Sequence, residues 1–415
     1  MQKLIFSSLC LAATLVFSCQ SANEKSKDNL KENTMDSTQK GTFAYDVAFL
    51  QQKGSIIVLQ NNDSSGMVII SPKYQGKVFT STAEGMNGKS FGWVNYKAFD
   101  EPVNNHMNAY GGEDRMWLGP EGGKYSIYFK PGTEQNFDNW HTPPAIDTEA
   151  WTLASTDQKK VSMTKETEIT NYAGTPLKIK MERDVEILEN NAIAQLLNVS
   201  VTDKVNAVGF KTVNKLYNVG TNEWNEQTGA PCIWNLDMFM PSENCIIVIP
   251  YIENAPGKVA TTDYFGEIDK DRITYNNGIL FFKADGKSRG KLGIPPARAK
   301  NVAGSYDAAN NVLTITLFDV YNNKKYLNQE WRTDRDPYSG DAMNAYNDGP
   351  LEDGSQMGPF YEIESVSPPA FLKQGENITH NHSVFHFTGD AAAINDIAVK
   401  VLGVSLQQIQ NIFNK

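Results

Sequence analysis

The sequence predicts an all-β sandwich with a short helical tail. Three observations carry that expectation. Short runs rich in Val, Ile, Tyr and Phe recur between turn residues across 43–389. No helix-period pattern alternates with them, and no Pro/Gly/Ser-rich linker or internal repeat divides the span.

Residues 55–59 and 67–70 read as strands on either side of the turn-forming loop 61–66. Residues 124–130 alternate after Gly122-Gly123, and 179–188 with 192–202 read as a strand pair joined by Glu189, Asn190 and Asn191. Cys232 and Cys245 flank an expected hairpin turning at Pro241, Ser242, Glu243 and Asn244. That turn sets Cys245 opposite Met240, which favours two free buried thiols over a disulfide. Later strands are expected at 245–251, 279–283, 312–319, 360–366 and 378–387. At the end, Asp390 caps a helix over 391–402, Gly403 stops it, and Ser405 caps a last turn or two to Phe413. Ile394, Ile397, Ala398 and Val401 share one helical face, so the tail (390–415) packs on the sandwich (43–389).

The start stands apart from that body. Residues 1–18 have a charged Lys3 and an apolar stretch too short to span a bilayer, as in a secretory signal peptide. Ser18 before Cys19 resembles the bacterial lipobox, in which Cys19 is lipidated; ordinary cleavage beside an incidental cysteine is the alternative. Two or three acyl chains would make the anchor stable, and Gln20 resembles the outer-membrane sorting signal. Residues 19–42 then form a polar tether. The expected location is therefore the outer membrane, facing the periplasm or the outside, held through lipid alone. A net charge of −10, with no basic run, argues against nucleic acid as a partner.

Five histidines fall in two groups, His106 with His141 and His380, His382 with His386. In a strand the last three share one face, with Phe385 and Phe387 on the other. Glu362 and Glu364 share parity likewise, and a pairing centred near Leu372 would set Glu364 across from His380 and Glu362 across from His382. Such a surface permits acid–base catalysis by a carboxylate and an imidazole, or cupin-like binding of a divalent metal, or mutual hydrogen bonding alone. No resident cofactor is otherwise expected. Around Arg115 and Trp117, glycines on both sides allow close backbone approach; the indole could stack on a sugar and the guanidinium bind a hydroxyl or carboxylate, although Trp117 taken alone reads first as the core residue of a hairpin. The irregular stretch 331–350, with Asp341 and Asn344, has the polar density of a ligand loop. Serine-hydrolase elbows, His-Glu-x-x-His and dinucleotide-binding glycine patterns are absent.

The segments 111–123 (GGEDRMWLGPEGG), 229–251, 336–350 and 358–389 resemble an uncharacterised family of Gram-negative lipoproteins. The late Glu strand followed by Leu-x-x-Gly-Glu is distantly similar to the galactose-mutarotase-like superfamily of aldose epimerases. That resemblance implies a β-supersandwich whose concave sheet face handles sugars, as epimerase, lyase, hydrolase or plain binder. Aldose epimerases carry a mid-chain histidine; this chain has none between 142 and 379 and offers Trp224 and Glu226 there. The expectation is thus a carbohydrate-binding protein with Glu362 or Glu364 as base and His380 or His382 as acid. His106, Arg115, Trp117, His141, Trp224, Asp341, Asn344 and His386 would contact the substrate. A non-catalytic glycan binder and a metal-dependent enzyme are the alternatives.

Overall fold

The computed structural model describes residues 40–414, so the leader, Cys19 and most of the tether lie outside the described residues. In chain order it has α1 (Phe43–Lys53), β1 (Ile57–Gln60), β2 (Met67–Ser71), β3 (Lys77–Thr82), β4 (Arg115–Gly119), β5 (Thr152–Thr156), β6 (Lys160–Thr170) and β7 (Pro176–Ile187). There follow α2 (Asn190–Leu197), β8 (Val205–Asn218), β9 (Cys232–Phe239), β10 (Cys245–Pro250), β11 (Ile273–Asn276), β12 (Ile279–Lys283) and β13 (Gly290–Ile294). The last elements are β14 (Val302–Asp307), β15 (Val312–Phe318), β16 (Met343–Asn347), β17 (Tyr361–Val366), β18 (Asn377–Gly389), α3 (Ala391–Leu402) and α4 (Leu406–Asn411).

The strands form three antiparallel sheets. A ten-stranded sheet runs β11-β12-β10-β14-β15-β18-β8-β7-β6-β5, a five-stranded sheet runs β13-β16-β17-β9-β4, and β1-β2-β3 make a third. Alternation sorts their side chains. In β10, Ile247 and Ile249 enter the main core while Ile246 and Val248 enter a second one under the helices. In β18, Phe385 and Phe387 join that second core, with Ile394, Ile397, Ala398 and Leu402 of α3. Asp390 accepts from the Ala393 N–H and Gly403 closes α3 at φ +76°. Ser405 and Gln408 form a capping box on α4.

The sandwich and its helical tail are as the sequence predicts, but several local expectations need correction. Residues 43–53 are helical, because Thr42 caps them and Phe43, Val47 and Leu50 recur at helical spacing against the third sheet. The expected strand at 192–202 is instead the helix α2, in which Ile193 and Leu197 point inward and Asn198 supplies a left-handed stop. Residues 124–130 are irregular, their buried side chains packing as a loop. Cys232 and Cys245 do not flank a hairpin: β9 pairs with β17 and β4, β10 with β12 and β14, in different sheets. Both thiols are free and buried.

The conjectured pairing of Glu362 and Glu364 with the histidines is overturned as well. β17 lies between β16 and β9, whereas β18 lies between β15 and β8 in the other sheet. Proline at 368 and 369 redirects the chain between sheets, so the two segments face each other across the sandwich instead of bonding edge to edge.

Candidate functional site

The side chains of β17 divide between two environments. Ser365 points into the sandwich, where its hydroxyl bonds His380 Nε2 at 2.8 Å and His382 Nδ1 at 2.9 Å. Glu362 and Glu364 project from the opposite, outer face. Register places Asn344 and Leu236 beside Glu364, Tyr346 and Met238 beside Glu362, and Arg115 beside Leu236.

That outer face carries a compact charged cluster. An Arg115 Nη donates to Glu362 Oε1 at 2.7 Å, and the guanidinium lies 4.7 Å from the Trp117 ring centre. Glu364 Oε2 accepts from the Trp234 indole at 2.8 Å and from Lys291 at 3.0 Å. Lys291 lies 4.8 Å from the Trp234 ring, which meets Trp117 edge to face. Tyr264 donates to Asp341 at 2.7 Å and accepts from Asn344 at 3.3 Å. Gly293 allows this: a Cβ there would fall 2.1 Å from Asp341 Oδ2 and 2.7 Å from Asn344 Nδ2. Gly122 lets the backbone at Glu330 and Trp331 approach, so that Trp331 lies beside the Glu121 segment.

Burial governs the electrostatics. It lifts Glu362 to about 8, with Arg115 opposing and Glu364 adding to the rise. It lifts Glu121 to about 6 against the pull of Lys291. Burial works against the Lys291 charge too, but Glu364, Glu121 and Glu362 outweigh it and hold the ammonium above its ordinary value. Two buried polar atoms here, Glu364 Oε1 and Arg115 Nε, have no hydrogen-bond partner. Glu362 keeps 6% of its surface exposed and Lys291 8%, so the opening is narrow.

The structure therefore unites Glu362, Glu364, Arg115, Trp117, Asp341 and Asn344. It separates the other predicted residues from them. His380, His382 and His386 line the interior between the sheets. There His382 Nε2 meets Asp237 at 2.8 Å, and His386 contacts Glu113 at 3.0 Å and Thr314 at 2.9 Å. Burial, with the nearby His382 charge, lowers His380 to about 4. Burial also disfavours the His382 imidazolium, but Asp237 prevails and raises it. Trp224 is a core residue, buried to 1% exposure, and Glu226 pairs with Lys325 on the surface. His106 and His141 stack on each other at 4.8 Å, nearer the surface. Among the described residues, no group of three or more His, Cys, Asp or Glu is arranged to hold a metal ion. Two open clefts, of about 570 and 490 Å³, are lined by none of the predicted site residues.

Sequence reasoning missed Glu121, Trp234, Tyr264 and Lys291. The Gly119-Pro120-Glu121-Gly122-Gly123 run was a signal for the first, since glycines crowd where a loop crosses a site. Lys291 gave none, because an isolated lysine in a strand reads as a solvated edge.

Fold and site together define a β-supersandwich protein with a charged, aromatic-lined sheet face. The chain belongs to DUF6786, a family of unknown function, which it matches over residues 41–413. No curated protein matches it. Among solved structures, the Slr1438 protein of Synechocystis sp. PCC 6803 is similar at TM-score 0.50 and 11% identity, over 81% of this chain and 96% of that one. A candidate aldose 1-epimerase from Escherichia coli K12 is similar at TM-score 0.46 and 11% identity, over 80% and 98%. A galactose mutarotase-like protein from Lactobacillus casei ATCC 334 is similar at 0.46 and 10%, over 80% and 100%.

Proposed function

We propose that the outer face of the five-stranded sheet binds a sugar and transfers protons on it, with Glu362 as the principal acid–base group. The observation that supports this most is Glu362 itself: a carboxyl raised to about 8, oriented through one oxygen by Arg115. Near neutral pH such a group can both give and take a proton. Glu121, raised to about 6, is the second carboxyl suited to proton transfer, in the role the sequence assigned to His380 or His382. Glu364 is held by Trp234 and Lys291 and acts as a positioning and hydrogen-bonding residue, its Oε1 free for a hydroxyl. Arg115 Nε offers a matching donor, while Asn344, Asp341 and the Trp117 edge complete a polar and aromatic lining.

The reaction this suits is proton movement at an anomeric or otherwise acidic sugar carbon. The test is a panel of aldoses and uronates followed by NMR for anomer interconversion, epimerisation or elimination. Glu362→Gln is expected to lower turnover by ~10²–10⁴-fold while sugar binding persists. Turnover unchanged in that variant would sink the assignment. Binding without chemistry is the second reading, favoured by the Arg115 contact that occupies Glu362 Oε1. Sugar binding with no product across the panel would establish it. The proposal includes the anchor: a lipidated Cys19 and the 19–42 tether would hold the domain at the outer membrane, which palmitate labelling of the wild type and of Cys19→Ala tests.

A further inference from the structure

A row of rings leads from the charged cluster to the surface. Trp117 meets Tyr128 at 6.0 Å, and Tyr128 lies nearly parallel to Trp140 at 5.9 Å and 8°. Trp140 is flanked by Trp331 at 5.7 Å and Phe137 at 6.2 Å, tilted by only 23° and 21°. Phe137 stacks on His106 at 4.6 Å and His106 on His141 at 4.8 Å. The three pairs around Trp140, near 6 Å at small angles, are offset, whereas Phe137, His106 and His141 stack closely and present their edges and outer faces to solvent.

The outer part of this row is exposed. Phe137 shows 60% of its surface, His141 is exposed, and His106, Trp331 and Glu121 are half-buried. Phe137 stays largely in water although its neighbours are tied down by hydrogen bonds. His106 Nδ1 bonds the Trp140 carbonyl at 2.6 Å and His141 Nδ1 the Asn105 carbonyl at 2.9 Å. Asn108 braces the same loop by bonding Asn104 and Asp147. Two buried polar groups beside the rings, Trp140 Nε1 and Thr142 Oγ1, have no partner. Trp331 joins this strip to the cluster, because its ring packs on Trp140 while its backbone packs against Gly122, the neighbour of Glu121.

We propose that this strip is an extended subsite, and that the ligand is an oligosaccharide whose further sugars lie along Trp331, Phe137, His106 and His141 while one unit occupies the charged face. It deepens the sugar-binding reading above and rests on it. Pyranose rings present apolar C–H faces with hydroxyls at the rim, which suits fixed aromatic surfaces interleaved with unpaired donors. A monosaccharide filling the Glu362 site would leave Phe137 and His141 uncovered.

The test is calorimetric titration of the full protein with gluco-, galacto- and manno-oligosaccharides of one to six units. Affinity for the preferred series is expected to rise about tenfold or more from one unit to three, then level off. Phe137→Ala, a surface change, should remove that gain and leave the monosaccharide Kd unaltered; His106→Ala should reduce it. Equal affinity at all lengths, or equal weakening of short and long ligands by Phe137→Ala, overturns the subsite. Failure of every sugar of every length to bind overturns the sugar reading itself, and the subsite with it.

Discussion

Glu362 and Ser365 stand three residues apart on one strand and face opposite sides of it, and that parity decides their chemistry. The sequence reading assigned faces correctly within each strand: Glu362 with Glu364, and His380, His382 and His386 apart from Phe385 and Phe387. It joined the wrong faces, since parity says nothing about which sheet a strand enters. The histidines consequently belong to buried pairs, His382 with Asp237 and His386 with Glu113. His382→Ala should therefore cost about 3–5 kcal/mol in denaturant unfolding, by leaving Asp237 buried without its partner, and should leave sugar affinity unchanged. Lost affinity in a stably folded His382→Ala protein would return the histidine to the site. At Gly293, an alanine Cβ would strike Asp341 and Asn344. Gly293→Ala should accordingly weaken sugar binding, read by the same titration, with the secondary structure intact by circular dichroism.

Among the elements, the terminal helices were legible and the internal ones were not. α3 carries its own start, stripe and stop in Asp390, Ile394, Ile397 and Gly403. Asp390→Ala removes the side-chain acceptor of the Ala393 N–H and should lower stability by about 1 kcal/mol, measurable as a shifted urea midpoint with unchanged slope. α2 was misread because Val199 and Val201, just beyond it, look like strand, while its two inward residues are too few to establish a period. The connection from Val366 to Asn377 shows the same limit, as a proline-rich link can close a hairpin or carry the chain to another sheet. Which it does depends on what apolar surface each strand must cover, and both β17 and β18 bury residues against the main core.

For the whole molecule, several buried or half-buried carboxyls hold their protons more tightly folded than unfolded. Burial raises Asp46 to about 6, Glu121 to about 6, Asp237 to about 7 and Glu362 to about 8. Groups with raised folded values contribute stability that is complete below about pH 4 and is lost as pH climbs through 6 to 8. His380, depressed to about 4, acts in the opposite sense and withdraws stability as pH falls from about 6.5. The melting temperature should thus peak in mildly acidic buffer and decline from pH 6 to 9, with Glu362→Gln flattening the upper part of the decline. A melting temperature that rises over that interval would contradict the buried-carboxylate account. The class of the fold, the capped tail and the shared face of each chemical pair follow from the sequence alone, because periodicity and capping are local. The union of Glu362 with Arg115, Lys291 and Glu121, and the burial of the histidines behind the sheet, were decided only by tertiary structure. Those contacts join residues up to 273 positions apart, and sheet order, set by the packing of the whole core, determines which of them meet.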